Sequence, residues 1–188
     1  MAAPYEVIAA PYTVWVAPTS TAKPNVNVTP SGSWTKLGTS GTKSYDKKGV
    51  IVTHGQTIVG WKPAGSTGAR KVWRTEEFVT VELDLVDLTA EMYAKVLNDS
   101  TLTTTTSPPV KSFNLQQGAV INELALLCRG ISPLGESLNA QYFIPIVYQA
   151  ADPAPAYAGE GQPAMLTCKF QSLEDSSLGF GSWEEGTA

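Results

Sequence analysis

The sequence has few of the side chains that usually carry enzyme chemistry: it contains a single histidine, His54, and two cysteines, Cys128 and Cys168. Zinc sites need several cysteine or histidine ligands, and this set cannot supply a good one. Neither of the glycine-rich patterns that bind nucleotide phosphates occurs in the chain. Nothing beside His54 resembles a nucleophile elbow or another catalytic signature. The sequence therefore predicts no catalytic residues, no cofactor and no metal, and we expect the protein not to be an enzyme.

Long hydrophobic runs and signs of an oxidising compartment are also absent. No stretch of about 18 apolar residues occurs, so no transmembrane helix is expected. Residues 1–6 lack the basic and apolar regions of a secretion signal, and none is predicted. Both cysteines lie in apolar segments, which favours two buried free thiols over a disulfide. His54 is expected to be a hydrogen-bonded side chain on a strand.

Charge is sparse and unevenly distributed. Charged residues make up 16% of the chain, against about 25% in ordinary soluble domains. Residues 1–73 contain eight basic and two acidic residues, a net charge of +6, whereas residues 74–188 contain five basic and fifteen acidic residues, a net charge of −10. If these halves lay at opposite ends of a subunit, copies would attract one another head to tail. The overall charge of −4 disfavours sequence-specific nucleic-acid binding.

Alternation of apolar and polar residues is the main structural signal. In residues 79–85, four apolar side chains share one face, and Thr80, Glu82 and Asp84 share the other. Such alternation is typical of antiparallel strands with one solvated face. Pro145, inside one such segment, predicts an edge strand or a bulge. The pattern predicts strands in six segments, at residues 12–16, 50–61, 79–85, 119–128, 141–149 and 166–171.

One segment has helical periodicity instead. Its apolar residues between Leu88 and Leu97 fall on one helical face, and Asp87 or Thr89 can cap the first amides. The sequence predicts a helix at about residues 88–98, packed on the sheet. The expected fold is therefore mainly β, with antiparallel strands flanked by one α-helix, in a single domain over residues 1–188.

Several segments follow one another in a recognisable order. Near the N-terminus they are Val14 to Pro18, a polar loop with Lys23-Pro24, and Trp34 to Gly38. Later come Glu82 to Glu91, where a strand runs directly into the helix, and Leu166 to Asp175, a last strand with an acidic turn. This order resembles that of the major tail tube proteins of long-tailed, siphovirus-type bacteriophages. The resemblance spans nearly the whole chain, and residues 101–163 match least.

The resemblance implies an architecture and a role. Members of that family have two packed antiparallel sheets, as a sandwich or half-barrel flanked by one helix, and long loops that mediate assembly. They form rings, typically hexameric, which stack head to tail around a tape measure protein. DNA later passes through the emptied lumen into the host, and acidic lumen residues would keep it from sticking. On this resemblance we expect an N-terminal arm at residues 1–11 and a C-terminal tail at about 178–188.

The partners that the resemblance implies are all components of a phage tail. They are other copies of the chain, the tape measure protein, the tail terminator and the distal tail proteins. Double-stranded DNA would pass through without specific binding, and no membrane contact is expected. The protein would be assembled in the host cytoplasm and located in the tail of the virion.

Two sets of residues are candidates for this role. Residues 60–75 combine a Gly/Ser/Pro tip with strand-like arms, and they predict an assembly loop that reaches a neighbouring subunit, with a plain surface hairpin as the alternative. Glu82 and Asp84 are candidates for an acidic lumen surface, with an ordinary solvated outer surface as the alternative. The candidate contact residues of the loop are Trp61, Lys62, Arg70, Lys71, Trp73 and Arg74.

Other functions also fit a small β-rich sequence without catalytic motifs. One is a different phage virion protein, such as a tail terminator, a head–tail connector or a decoration protein. A terminator would stop at one ring, whereas a tube protein forms open-ended cylinders. Another is a carbohydrate-binding β-sandwich, in which tryptophans stack on sugars, and binding of glycans by a monomer would favour it.

Overall fold

The computed structural model describes residues 12–39, 41–97, 101–115, 120–157, 159, 161 and 163–186. Strands make up 51% of the structure and helices 6%, so the prediction of a mainly β fold is confirmed. The described part contains one α-helix, α1 (Ala90–Val96), and a 3-10 helix at Gly41–Ser44. The strands are β1 (Thr13–Pro18), β2 (Thr35–Lys36), β3 (Ile51–Trp61), β4 (Lys71–Leu85), β5 (Thr103–Thr106), β6 (Pro109–Ser112), β7 (Leu124–Ser132), β8 (Gly135–Gln149), β9 (Pro155–Ala156), β10 (Met165–Ser172) and β11 (Ser182–Glu185).

Most strands belong to one antiparallel sheet with the order β2-β1-β7-β8-β10-β4-β3, to which β11 adds at β8 and β9 at β10. A separate hairpin is formed by β5 and β6. On the side away from β7, strand β8 pairs with β11 through residues 140–143 and with β10 through residues 147–149. Pro145 lies between these stretches, where the β7–β8 register also shifts. The predicted bulge at this proline is therefore confirmed.

The sheet folds over one core, so that its two halves face each other. Side chains of β1, β7 and β8 pack against side chains of β4 and β10. Every second residue of β4 from Val79 to Leu85 is buried in this core, as the alternation predicts. Cys128 and Cys168 lie in the same core as free thiols, which confirms the prediction made for them.

Tyr45 connects the two halves of the sheet. Its hydroxyl accepts a hydrogen bond from the Val14 amide (2.9 Å) and donates one to the Leu37 carbonyl (2.6 Å), while its backbone forms a bridge to Leu85. Burial raises the pKa of this hydroxyl, so it remains protonated and able to donate. The segment from Leu37 to Tyr45 thereby joins β1 to the end of β4.

A second, smaller apolar layer covers the outer face of β1, β7 and β8. Trp34 packs there against Phe143, with ring centroids 6.2 Å apart, and Ala17, Ala125 and Leu127 complete the layer. The indole N–H of Trp34 donates to the Ala22 carbonyl at 3.2 Å. Burial on both faces explains why β7 is almost continuously buried.

Arg129 is a buried cation that fixes the neighbouring loop. Its guanidinium donates to the Gln141 side chain (3.1 Å from Nε) and to the Asn25 carbonyl (2.8 Å). Gln141 in turn donates to the Pro24 carbonyl (2.9 Å) and to Glu184 (2.8 Å). A buried charge is tolerated when it is hydrogen-bonded and near an opposite charge. The Glu184 carboxylate supplies that charge through space, and the network ties the loop and β11 to β8.

The helix begins at one of the two capping residues predicted from the sequence. The side chain of Thr89, one of the two predicted caps, accepts a hydrogen bond from the Met92 amide at 3.3 Å. Met92, Val96 and Leu97 are buried, as the predicted helical face requires. The helix is shorter than predicted because the backbone is already extended at Leu97, and Asn98 lies outside the described residues.

The C-terminal region differs from the prediction. The sequence predicts a tail at about 178–188, but residues 182–185 form β11, which pairs with β8. Gly181 allows this approach, because a Cβ at that position would lie 2.2 Å from the Phe143 carbonyl oxygen. Four residues are too few for alternation to reveal a strand that its neighbour stabilises. Residues 187–188, and the predicted N-terminal arm at 1–11, lie outside the described residues.

Candidate assembly surface

The hairpin of β3 and β4 extends far beyond the body of the fold. From Val79 onward β4 is largely buried, whereas every residue from Lys71 to Glu77 is exposed. The neighbouring strand β10 pairs with β4 only from Thr80 to Leu85. Among the described residues, the outer parts of these two strands therefore pair only with each other, and we call residues 55–78 the arm.

A β-bulge changes the register halfway along the arm. Thr57 pairs with Glu76, but the next residue, Ile58, pairs with Arg74, which leaves Thr75 as the extra residue. The Thr75 hydroxyl donates to the Thr57 carbonyl at 3.2 Å. Bulges increase the local twist, so the outer part of the arm is rotated relative to its root.

One face of the outer arm is apolar and exposed. Val59 pairs with Trp73, and Trp61 pairs with Lys71, so these four side chains share a face. About half of each tryptophan is exposed, 51% for Trp61 and 47% for Trp73. We call Val59, Trp61 and Trp73 the tryptophan face. Contiguous exposed apolar side chains mark interaction sites more often than single ones do.

The opposite face of the arm is more polar at its centre. Arg74 donates from Nε to the Gln56 side chain and from a terminal nitrogen to Glu77, both at 2.9 Å. Ile58 and Val72 lie further out on this face and are exposed. The charge of Arg74 is thus matched within the arm itself.

The tip of the arm concentrates positive charge. The chain turns through a hydrogen bond from the Ser66 amide to the Pro63 carbonyl (3.1 Å) and closes with one from the Arg70 amide to the Trp61 carbonyl (2.9 Å). Lys62, Arg70 and Lys71 are exposed, and the ion pairs between described residues include none of them. These cations are therefore available to a partner.

The root of the arm is held by aromatic contacts. The Phe78 ring lies over Gly55, where an added Cβ would be only 2.3 Å from a ring atom. On the inner face, the ring of His54 lies 6.5 Å from that of Tyr142 on β8. His54 lies on a strand, as predicted, and the contact described for its ring is aromatic. These contacts attach the arm to the body at a defined angle.

Glu82 and Asp84 share the outer face of β4, as the alternation predicts, but each faces a cation. Glu82 pairs with Lys169 at 2.6 Å and Asp84 with Lys48 at 3.2 Å. Asp84 also accepts a hydrogen bond from the Thr167 hydroxyl at 2.8 Å. The surface is thus a row of ion pairs rather than a purely acidic stripe, and its assignment to a lumen stays a prediction.

The structure sorts the predicted loop residues into three groups. Trp61, Lys71 and Trp73 lie together on the tryptophan face, Arg74 lies on the opposite face, and Lys62 and Arg70 lie at the tip. The sequence interpretation missed the exposed apolar residues Ile58, Val59 and Val72. The sequence signal for them is that apolar residues occur on both faces of these strands, and their exposure among the described residues is visible only in the structure.

Other kinds of site have less support. Within the described ranges, no group of three or more His, Cys, Asp or Glu side chains could hold a metal ion. No helix in the described part of the chain is long and apolar enough to cross a bilayer. No protein-family model matches this chain, and no curated protein shows significant sequence similarity to it. The arm is the feature that a function has to explain.

Proposed function

We propose that this chain is a structural subunit that assembles with copies of itself into stacked rings, which form the tail tube of a long-tailed bacteriophage. The tube is the conduit through which the genome reaches the host. The observation that carries the proposal is the arm, a long hairpin whose apolar side chains are exposed in a single copy. The kind of assembly, stacked rings that form a tube, is inferred from the resemblance of the segment order to that of tail tube proteins.

The energetics of the arm support a partner. A two-stranded hairpin alone is marginally stable in water, and ordering its backbone costs about 1–2 kcal/mol per residue. The tryptophan face offers large apolar area, and each aromatic side chain can bury about 150–250 Å² in a contact. Contacts with another molecule would offset the cost of ordering the arm.

The edge of the sheet supports a second copy as that partner. β3 is the last strand in the sheet order and pairs only with β4 among the described strands. An exposed edge strand of this length is a template for pairing with another chain. In a homo-oligomer this edge becomes part of a regular interface, which prevents uncontrolled association.

The remaining partners belong to the same proposal. A tape measure protein would occupy the lumen during assembly, and a tail terminator and distal tail proteins would close the ends. DNA would pass without specific contacts. Glu82 and Asp84 could line the lumen, and their pairing with Lys169 and Lys48 would then give a nearly neutral wall rather than a repulsive one.

Shortening the arm by matched pairs of residues tests the proposal. Deleting residues 58–61 together with their partners 71–74 keeps the hairpin in register while removing the tryptophan face. We expect the wild-type protein to form rings and open-ended tubes when concentrated, as seen by negative-stain electron microscopy and sedimentation velocity. The shortened variant should remain monomeric and folded, with the circular dichroism spectrum of a β protein and a melting temperature close to that of the wild-type monomer.

Two results would contradict the proposal in different ways. A wild-type protein that stays monomeric at every concentration, even with tape measure protein or a tail-tip complex, would exclude the tube. Normal tubes from the shortened variant would show that the arm is not the assembly element. Single rings that never stack would favour a terminator instead.

A further inference from the structure

A cleft of about 400 Å³ lies on the outer face of β8, between the loop at 19–23 and the turn at 175–182. Phe143, Pro145 and Ile146 supply its apolar floor, and Leu178, 56% exposed, stands at its mouth. Glu123 and Asp175 add two carboxylates to its lining, and Lys23 adds one cation, which is paired with Glu184. The cleft therefore combines an apolar surface with negative charge.

The turn that forms one wall of the cleft is well defined. One carboxylate oxygen of Asp175 accepts hydrogen bonds from the amides of Ser177 (2.8 Å) and Leu178 (2.9 Å). The backbones of Asp175 and Gly179 exchange two further hydrogen bonds, both 2.9 Å long. An aspartate that bonds to amides two and three residues ahead is a common way to fix a turn. The wall is thus built without any ligand.

The chemistry of the cleft matches the tip of the arm. The tip presents the tryptophan face and three cations, Lys62, Arg70 and Lys71, that have no ion pair among described residues. The ion pairs between described residues also leave out Glu123 and Asp175. An apolar centre flanked by opposite charges is the usual composition of a specific protein interface.

The arm cannot reach the cleft of its own chain. The amide of Val79, at the root, donates to the Ser172 hydroxyl (2.8 Å), and the next residue along, Leu173, donates to the Ile146 carbonyl on the cleft floor (3.0 Å). The cleft therefore begins beside the root. Lys71, at the outer end of β4, lies eight residues from Val79, which is about 26 Å along a strand that rises ~3.3 Å per residue. A paired strand cannot fold back over that distance, so any arm in the cleft comes from another copy.

We propose that this cleft is the receptor for the arm tip of a second copy of the chain. The inference deepens the proposed tube function and rests on it. Trp61 or Trp73 packs on the apolar floor while the cations of the tip face Glu123 and Asp175. Because tip and receptor are different surfaces, the contact is heterologous and repeats from copy to copy, as a ring or a stack requires.

A second cleft is a poorer receptor. It lies between α1 and β1, has a volume of about 600 Å³, and is lined by Glu91 and Lys95. Glu91 is already paired with Lys111, and Lys95 has no ion pair among the described residues, whereas Lys23 in the first cleft is neutralised by Glu184. Like charges at an interface oppose association, so the cationic tip favours the cleft with Glu123 and Asp175.

Cross-linking between copies tests the receptor directly. Ala69→Cys places a thiol at the exposed tip, and Leu178→Cys places one at the mouth of the cleft. A short bismaleimide added to assembled Ala69→Cys/Leu178→Cys protein should give a ladder of covalent multimers that each single variant lacks. Background reaction should be low, because burial raises the pKa of both native thiols, that of Cys168 to about 12.

A matched pair of cysteines separates the possible outcomes. Ala69→Cys/Thr101→Cys carries the second thiol at the cleft beside α1 and should give no ladder. If tubes form but the Leu178→Cys pair does not cross-link, the receptor assignment is wrong and the tube proposal stands. If no variant and no wild-type protein assembles, both fail. A ladder from the Thr101→Cys pair alone would move the receptor to that cleft.

Discussion

The Tyr45 hydroxyl stabilises the packing of the two halves of the sheet through two buried hydrogen bonds. It satisfies one backbone amide on β1 and one carbonyl at Leu37, both in the buried interior. Neither group has access to water that could replace the lost bond. A buried donor or acceptor left without a partner costs about 1–3 kcal/mol.

Replacing Tyr45 by phenylalanine should therefore destabilise the monomer without changing its shape. We expect the free energy of unfolding in urea to fall by about 1–3 kcal/mol, because the Val14 amide and the Leu37 carbonyl lose their partner. Tyr157→Phe is the control, since this tyrosine is 75% exposed and its change should stay within about 0.5 kcal/mol. Equal unfolding energies for the two variants would show that the Tyr45 bonds contribute little.

Local patterns predict individual residues only where the cause is local. The cap at Thr89, the buried thiols and the shared face of Glu82 and Asp84 follow from spacing within one segment. Arg129 could not be predicted, because its acceptors at Asn25 and Val28 lie 104 and 101 residues away. The cleft depends on the same kind of distant contact.

The arm shows the corresponding limit for a whole element. Strand-like flanks and a Gly/Ser/Pro tip at residues 60–75 predict an assembly loop, with a plain surface hairpin as the alternative. The structure has a hairpin there, and its role in assembly stays a prediction. Alternation in a sequence cannot tell whether a strand is covered by a neighbour, so the exposure of Val59 and the bulge at Thr75 were not foreseen. Those two features distinguish a hairpin that projects from the body of the fold from one that packs against it.

The angle of the arm should depend on Gly55. In Gly55→Ala the new methyl group would overlap the Phe78 ring, which lies within 2.3 Å of its position. The ring must move away and its packing at the arm root is lost, so we expect slower tube growth by light scattering and faster amide exchange at the root. Gly68→Ala is the matched control, because nothing lies within 4 Å of its added Cβ. If both variants grew tubes at the wild-type rate, the Phe78 contact would not set the arm angle.

At the scale of the whole molecule, the charge asymmetry of the sequence is partly cancelled inside one subunit. Lys23 pairs with Glu184 and Lys48 with Asp84, so basic residues of the first half meet acidic residues of the second. The two halves interleave in one sheet and do not form opposite ends. The condition for a head-to-tail attraction between whole halves is therefore not met. The proposed contact depends instead on local charges, at the tip of the arm and at the cleft.

Salt should therefore change the rate of tube assembly more than the stability of the assembled tubes. Screening shortens the Debye length from about 10 Å at 0.1 M to about 3 Å at 1 M ionic strength. We expect tube growth, followed by light scattering, to slow roughly tenfold over that range of sodium chloride, since electrostatic steering contributes about 10- to 1000-fold to association rates. Tubes already formed should persist, because burial of the tryptophan face is not screened. Arg70→Glu/Lys71→Glu should grow slowly at low salt and faster as salt is added, because its reversed tip repels the carboxylates of the cleft. Lys43→Glu/Lys47→Glu makes the same change in net charge on an exposed surface elsewhere and should slow with salt as the wild-type protein does. Faster growth at high salt in the wild-type protein would mean that the tip meets a surface of its own charge, and it would exclude the carboxylates of the cleft as its partners.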